Sequence, residues 1–324
     1  PTLTRPPPQA PAPPAAIVAP LLEAGLPPQA VQLLHGGGEV GALLCAADEV
    51  SVISFTGSAA TGDAVARAAG AKRLVLGLRG VLELGGNAAT VVCEDADPEQ
   101  AARECARTGF SNSGQSCISV QRIYVHRSRY DGFLDHLVHA VDQLVVGDPL
   151  DENTDVGSMV DEEAAERVVR WSAEAADTGA RILRGGTRDG ATARPTVVAG
   201  PAESASVVGH EVFGALVAVL AYDDFGAVIE TCNASRYGLQ AGLFTRDMGR
   251  ILTAWRELET GALIAGGTSN YRLDHVPFGG MKDSGFGRET PRSMIDDYTV
   301  VKTLVLRGHS VWGTRNATTE EPSA

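Results

Sequence analysis

Two rhythms of apolar and polar positions alternate along the chain. Short runs rich in β-branched and apolar residues occur at 31–34, 50–55, 89–93, 121–126, 180–183, 216–221, 241–244 and 261–265. Runs of that length, bounded by glycine or polar turn residues, are expected to be strands. Between them lie segments with apolar residues three and four apart, at 17–25, 40–47, 60–70, 98–110, 130–144, 162–178, 224–233 and 248–259. These are expected to be helices. Gly25 with Pro27-Pro28 stops the first, and Asp97-Pro98 opens the fourth as a cap followed by a proline in the first turn. Strands alternating with helices predict an α/β fold built on a parallel sheet. The order strand 50–55, turn Thr56-Gly57-Ser58, helix 60–70 is that of a Rossmann-like, dinucleotide-binding unit. Residues 1–16 are mostly Pro and Ala and are expected to form no regular element. Residues 297–306 predict a terminal strand, and the polar tail 308–324 predicts disorder.

Two stretches break these rhythms. In Gly114-Gln115-Ser116-Cys117 a cysteine follows a Gly-Gln turn. In Leu82-Glu83-Leu84-Gly85-Gly86-Asn87 a carboxylate stands inside an apolar run beside two glycines. A cysteine attacks carbonyl carbon as its thiolate and needs donors for the oxyanion it creates. A carboxyl forced into apolar surroundings has its pKa raised toward the range useful for proton transfer. Cys117 is therefore a candidate nucleophile and Glu83 a candidate general base for acyl chemistry on an aldehyde or ester. The small Gly85-Gly86 pair admits close approach of backbone and ligand. The turn at Gly57-Ser58 offers the free N–H groups of a helix start to a phosphate.

Composition narrows the partners. With 324 residues, two domains are expected. A net charge of −13 argues against nucleic acid and anionic membrane surfaces. No apolar run reaches the length of a membrane span. Five cysteines, Cys45, Cys93, Cys105, Cys117 and Cys232, lack the paired spacing of a disulfide framework or a zinc site. They fit a reducing, cytoplasmic setting.

Five motifs, Phe55-Thr-Gly-Ser58, Glu83-Leu-Gly-Gly86, Gly114-Gln-Ser-Cys117, Glu211-Val-Phe-Gly214 and Pro277-Phe-Gly-Gly280, stand in an order and spacing that resembles the NAD(P)-dependent aldehyde dehydrogenases. The likeness runs from about Arg5 to Leu306. It implies the fold of that family: a partial dinucleotide-binding domain over residues 1–86, a catalytic α/β domain over 87–290 and an oligomerisation strand over 291–307, ahead of the tail 308–324. It implies oxidation of a small aldehyde through a Cys117 thiohemiacetal and thioester, with Glu83 activating water. NAD is the implied cofactor, with NADP as the alternative. Arg5, Gly57, Ser58, Leu84, Gly85, Glu211 and Phe213 are the implied cofactor contacts, Glu211 at the nicotinamide ribose and Phe213 beside the nicotinamide. Arg5 stands where the family has a ribose-binding lysine, and Pro8 near the position that separates NAD from NADP.

The resemblance also implies a homo-oligomer, a dimer or tetramer, joined through the terminal strand. It implies a family segment ahead of Pro1, holding the asparagine of the oxyanion hole. Ser58 and Glu83 lie further apart than in the family, which implies a small insertion at 77–81. Arg272 and His275, ahead of Pro277-Phe-Gly-Gly280, would favour an acidic or phosphorylated aldehyde. Two rival readings stand beside this one. One is a remnant that binds only a dinucleotide or a partner subunit. The other is a cofactor-free cysteine esterase.

Overall fold

The computed structural model describes residues 2–75 and 80–307. Its centre is a seven-stranded sheet in the order Ala262–Ala265, Gln240–Phe244, Ala89–Val92, Arg122–His126, Leu216–Tyr222, Thr196–Ala199, Arg181–Arg184. All neighbours run parallel except the edge strand Arg181–Arg184. Ala89–Val92 and Thr196–Ala199 are buried at every residue, as expected of parallel strands with helices on both faces.

The helices that cover the sheet share one device. Asp97 accepts the backbone N–H groups of Glu99 and Gln100, and Pro98 takes the first turn of helix Pro98–Phe110. Asp161, Asp224 and Asp247 cap helices Glu162–Asp177, Phe225–Asn233 and Met248–Glu257 in the same way. Each cap satisfies N–H groups that have no partner inside the helix, typically worth about 1 kcal/mol. Helix Pro98–Phe110 turns a face of small residues, Ala101, Ala102, Cys105 and Ala106, into the core. Helix Tyr130–Asp142, packed beside it, buries Phe133, Leu134, Leu137 and Val141. Small residues on one helix let the other's large ones approach, and burying each large side chain contributes about 1.5–3 kcal/mol.

The first part of the chain is built differently. Thr2–Thr4 pairs in parallel with Val31–Leu33. A separate three-stranded sheet joins Ile53–Thr56, Gly80–Glu83 and Gly285–Phe286. Of the described hydrophobic residues before Gly70, only Cys45, Ala59 and Ala69 are buried, while Ile17 and Leu43 are 65% and 71% exposed.

The expected α/β order holds, but strands Gly80–Glu83 and Thr196–Ala199 were not among those expected, and two further segments differ from expectation. Residues 1–16 are not irregular: Thr2–Thr4 is a strand and helix Ala12–Glu23 starts well inside the proline-rich stretch. Pro13 and Pro14 fall in its first turn, where a missing N–H costs no helix bond. The expected strand over 297–306 is not formed. Helix Pro291–Tyr298 occupies its start, opened by the Thr290 side chain accepting Ser293 N–H and by Pro291 at the first position. Residues 299–307 pair with no strand among the described residues, and a strand needs an edge to pair with. Of the expected insertion at 77–81, positions 77–79 lie outside the described residues, as does the expected disorder of 308–324.

Candidate functional site

Sheet order explains how residues far apart in sequence converge. Glu83 precedes strand Ala89–Val92, Cys117 precedes Arg122–His126, and Glu211 precedes Leu216–Tyr222. These strands are parallel neighbours, with Ala89 and Ala218 both in register with Arg122. The three leading loops therefore meet at one end of the sheet, ahead of the first residues of its three central strands.

Cys117 is delivered by a tight reversal after helix Pro98–Phe110. Asn112, Ser113 and Gly114 have φ of 52°, 56° and 72°, a left-handed run. Asn and Gly tolerate that region, but Ser113 is strained there. Its hydroxyl donates to Gly157 O at 2.9 Å, which helps to hold the conformation. Gly114 is required, since an added Cβ would stand 2.0 Å from Gly214 O. The Cys117 loop thus lies directly on the loop that carries Glu211 and Phe213. Cys117 is half-buried and packs against the cluster Ile118, Leu239 and Phe278. Burial pushes its thiol up to about 11, and the Glu211 and Glu83 carboxylates add to the rise.

Glu83 ends strand Gly80–Glu83, with its carbonyl accepting Gly57 N–H at 3.0 Å. It is 3% exposed. Neither carboxylate oxygen has a hydrogen-bond partner among the described residues. Burial raises its pKa to about 8, with Glu289 adding to the rise and Arg272 and Arg288 opposing it. A buried, unpartnered carboxyl is costly to ionise, and this one is poised to take a proton near neutrality. The chain from Glu83 to the nucleophile is short: an added Cβ on Gly86 would stand 2.0 Å from the Cys117 carbonyl oxygen.

Glu211 lies over the same glycines. Gly86 N–H donates to Glu211 Oε1 at 2.8 Å, and a Cβ on Gly85 would come 2.3 Å from Glu211 Oε2. Burial raises the Glu211 pKa to about 7, which the Gly86 hydrogen bond and Arg167 oppose. Phe213 is 40% exposed with φ of 46°, an uncommon conformation for a bulky residue. Ser284 ties this floor together by donating to Gly85 O at 2.7 Å and accepting Gly238 N–H at 3.0 Å.

The remaining candidates sit further out. Gly57 and Ser58 start helix Ala59–Val75, where the Ser58 hydroxyl accepts Thr61 N–H at 3.3 Å. Leu84 is buried, and its side chain meets that helix at Gly62. Arg5 follows strand Thr2–Thr4 and donates to Gly36 O at 3.0 Å. Arg272 is exposed, pairs with Glu289 at 2.6 Å and lies 4.3 Å above the Phe278 ring. His275 is exposed in the same loop.

The aldehyde dehydrogenase family pattern matches residues 2–304. The chain belongs to the aldehyde dehydrogenase family. Among curated relatives of that family, it is 45% identical over 285 residues to 3-sulfolactaldehyde dehydrogenase of Priestia megaterium, covering 88% of this chain and 58% of that protein. It is 36% identical over 290 residues to aspartate-semialdehyde dehydrogenase 1 of Pseudomonas canavaninivorans, covering 90% of this chain and 60% of that one. The chain thus spans somewhat under two thirds of the length of these relatives.

Solved structures of the family agree. Aldehyde dehydrogenase 21 from Physcomitrella patens, in complex with succinate, superposes with a TM-score of 0.89 at 34% identity, covering 96% of this chain and 64% of that one. Glyceraldehyde-3-phosphate dehydrogenase from Methanocaldococcus jannaschii, complexed with NADP, gives 0.85 at 33% identity, covering 91% and 64%. The expected α/β fold is that of the family. No helix among the described residues is long and apolar enough to cross a membrane.

Two residues of consequence carried no sequence signal of their own. Ser284 looks like an ordinary turn residue after Asp283, and Gln121 like a polar strand boundary. Their partners lie tens to hundreds of positions away.

Proposed function

We propose that this chain carries the cysteine, the base and the cofactor-facing residues for NAD(P)+-dependent oxidation of a small anionic aldehyde to its acid. The observation that carries the reading is the meeting of Glu83, Cys117 and Glu211 around Gly85 and Gly86, where a buried, unpartnered carboxyl stands beside a nucleophile on an adjoining loop. The residues present suit a nicotinamide dinucleotide. Glu211 lies across a floor with no side chains, Phe213 is exposed beside it, and the start of helix Ala59–Val75 presents Gly57 and Ser58. Glu211 would hold ribose hydroxyls, Phe213 would pack on the nicotinamide, and Gly57 and Ser58 would face phosphate. Leu84 would shape the wall, and Arg5 would reach the adenosine end.

Cys117 Sγ releases its proton to solvent and bonds to the aldehyde carbon, whose oxygen takes the π electrons. A nicotinamide held by Glu211 and Phe213 would supply the hydride acceptor. A thioester then remains on Cys117. Glu83 takes a proton from water, the water oxygen adds to the thioester carbon, and the C–S bond breaks to release the acid. Overall, aldehyde, NAD(P)+ and water give carboxylate, NAD(P)H and two protons.

Arg272 supports the anionic substrate class. It is an exposed guanidinium above Phe278, which packs against Cys117. The names of the two relatives given above, with a sulfonate- and a carboxylate-bearing aldehyde, agree. Residues 299–307 support a homo-oligomer, since Val301 and Leu304 are 93% and 79% exposed and a partner's sheet edge would cover them. We place the domain boundaries at 86 and 290 and the protein in the cytoplasm on the same reading.

The test is NADH formation, followed by its ultraviolet absorbance, across sulfonated, carboxylated and neutral aldehydes, with ester hydrolysis measured without cofactor. Reduction of cofactor that Cys117→Ala abolishes is the expected result. Ester hydrolysis with no cofactor reduction would favour the esterase.

A further inference from the structure

Glu211 lies in a loop with no regular structure of its own. It follows the four-residue helical turn Ser206–Gly209 and precedes the strained Phe213. What fixes it comes from elsewhere. Gln121, four residues after the nucleophile, is 5% exposed. Its amide nitrogen donates to His210 O at 2.6 Å and to Val207 O at 3.3 Å. Its amide oxygen accepts Val212 N–H at 2.9 Å. One buried side chain thus grips the backbone on both sides of Glu211 and uses both donors and its acceptor to do so.

The backbone of Gln121 is tied in as well. Its N–H points to Ala88 O at 3.4 Å, just beyond the Glu83-to-Asn87 loop, and its carbonyl accepts Ala218 N–H at 2.8 Å. Asn87 adds a parallel strut by donating to Val208 O at 2.6 Å. Gln121 therefore stands where the loops of the base, the nucleophile and Glu211 meet.

We propose that Gln121 is a positioning residue that sets the Glu211 carboxylate over Gly85 and Gly86, and so sets cofactor binding separately from the acyl chemistry of Cys117. The cofactor part rests on the proposed function; the positioning of Glu211 does not. The geometry makes a specific demand. If Gln121 lets go, His210 O and Val212 N–H lose its side chain as a partner on either side of Glu211, and the Glu211 oxygen leaves Gly86 N–H. Arg167, which donates to Val212 O at 3.3 and 3.2 Å, holds that loop from one side only.

The experiment compares the unsubstituted chain with Gln121→Leu and Gln121→Glu. Amide hydrogen exchange at Gly86 and Val212, NADH binding by fluorescence, and cofactor-free ester hydrolysis are read on each. Gln121→Leu removes all three bonds at similar volume. It is expected to speed exchange at both amides and to weaken NADH binding, each by at least about tenfold, with ester hydrolysis within about twofold of the unsubstituted chain. Gln121→Glu keeps the acceptor for Val212 and loses the donors. It is expected to speed exchange at Gly86 while leaving Val212 within about twofold, and it serves if the leucine variant does not fold.

Faster exchange at Val212 with Gly86 unchanged in Gln121→Leu would overturn the proposal, because Glu211 would then sit where it does without Gln121. So would parallel losses in NADH binding and ester hydrolysis, which mark general loosening. If the unsubstituted chain binds no NADH, the proposed function fails, and exchange at Gly86 still decides the role of Gln121.

Discussion

The backbones of Gly86 and Cys117 are in such close contact that an added Cβ on the glycine would stand 2.0 Å from the cysteine's carbonyl oxygen. The oxygen belongs to the main chain and the Cβ is fixed to it, so neither can swing aside. Gly86→Ala is expected to push the loop of the base off the loop of the nucleophile. Overpacking of this kind costs about 1–3 kcal/mol, and here it should also displace Glu211 from Gly86 N–H. A fall in melting temperature with loss of ester and aldehyde turnover is the expected outcome. Gly132→Ala is the matched control. Gly132 lies within helix Tyr130–Asp142, and a Cβ there meets nothing within 4 Å. That change should stabilise the chain by about 0.5–1 kcal/mol, so a melt in which both variants lose stability would contradict the steric account.

Glu83 predicts a stability that depends on pH in the direction opposite to most carboxylates. Its pKa in the folded chain is raised to about 8 from an ordinary value of 4.5, mainly by burial. The unfolded chain thus releases this proton at lower pH. The favourable contribution of the neutral carboxyl is fully present below about pH 4.5 and is lost as pH rises through about 8. Each tenfold change in proton affinity between the folded and unfolded chain corresponds to about 1.4 kcal/mol, so the effect spans several kcal/mol. Glu83→Gln keeps the shape without the titration. Thermal melts should show it gaining on the unsubstituted chain between about pH 5 and pH 9, and two parallel curves would refute the assignment. Deacylation in the same variant should slow by about 10²–10⁴.

The convergence of Glu83, Cys117 and Glu211 was only half legible in the sequence. The motifs marked each residue, because a carboxylate in an apolar run and a cysteine after a Gly-Gln turn are chemically unusual. Their meeting depends on strand order, since each precedes one of three neighbouring parallel strands, and order is a long-range property. Aspartate caps such as Asp97 were visible because the cap and its targets are two or three residues apart. Gln121 was not, because it acts on backbone 86 to 91 positions away. The helix Pro291–Tyr298 was not expected, although Thr290 and Pro291 open it, because the β-branched residues after it favoured a strand reading.

Cys117 should alkylate with an unusual pH dependence. Its thiol is pushed up to about 11 by burial and by the two nearby carboxylates. The iodoacetamide rate on the cofactor-free chain should therefore keep climbing well above the ordinary thiol range of about 8.5. It should nonetheless exceed the rates at Cys45, Cys93, Cys105 and Cys232, which are all buried. Peptide mapping after partial labelling reads both. A rate that levels off near the ordinary thiol pKa would show that neither burial nor the carboxylates raise the thiol.

Arg272 and Glu289 give opposing predictions. The guanidinium is held by Glu289 at 2.6 Å while it lies over Phe278. An anionic substrate group must compete with Glu289 for it. Arg272→Gln is expected to raise KM for carboxylated and sulfonated aldehydes by about tenfold or more, the scale of one charge-assisted contact, with neutral aldehydes little changed. Glu289→Gln removes the competitor and should lower KM for the anionic aldehydes. It also removes a negative charge that helps raise the Glu83 pKa, so the onset of turnover on the acid limb, where Glu83 becomes ionised, should move to lower pH. In Arg272→Gln the same onset should move to higher pH, because Arg272 opposes the rise. Steady-state profiles across pH test both displacements at once. Movement of the two variants in the same direction would mean that neither charge is felt at Glu83.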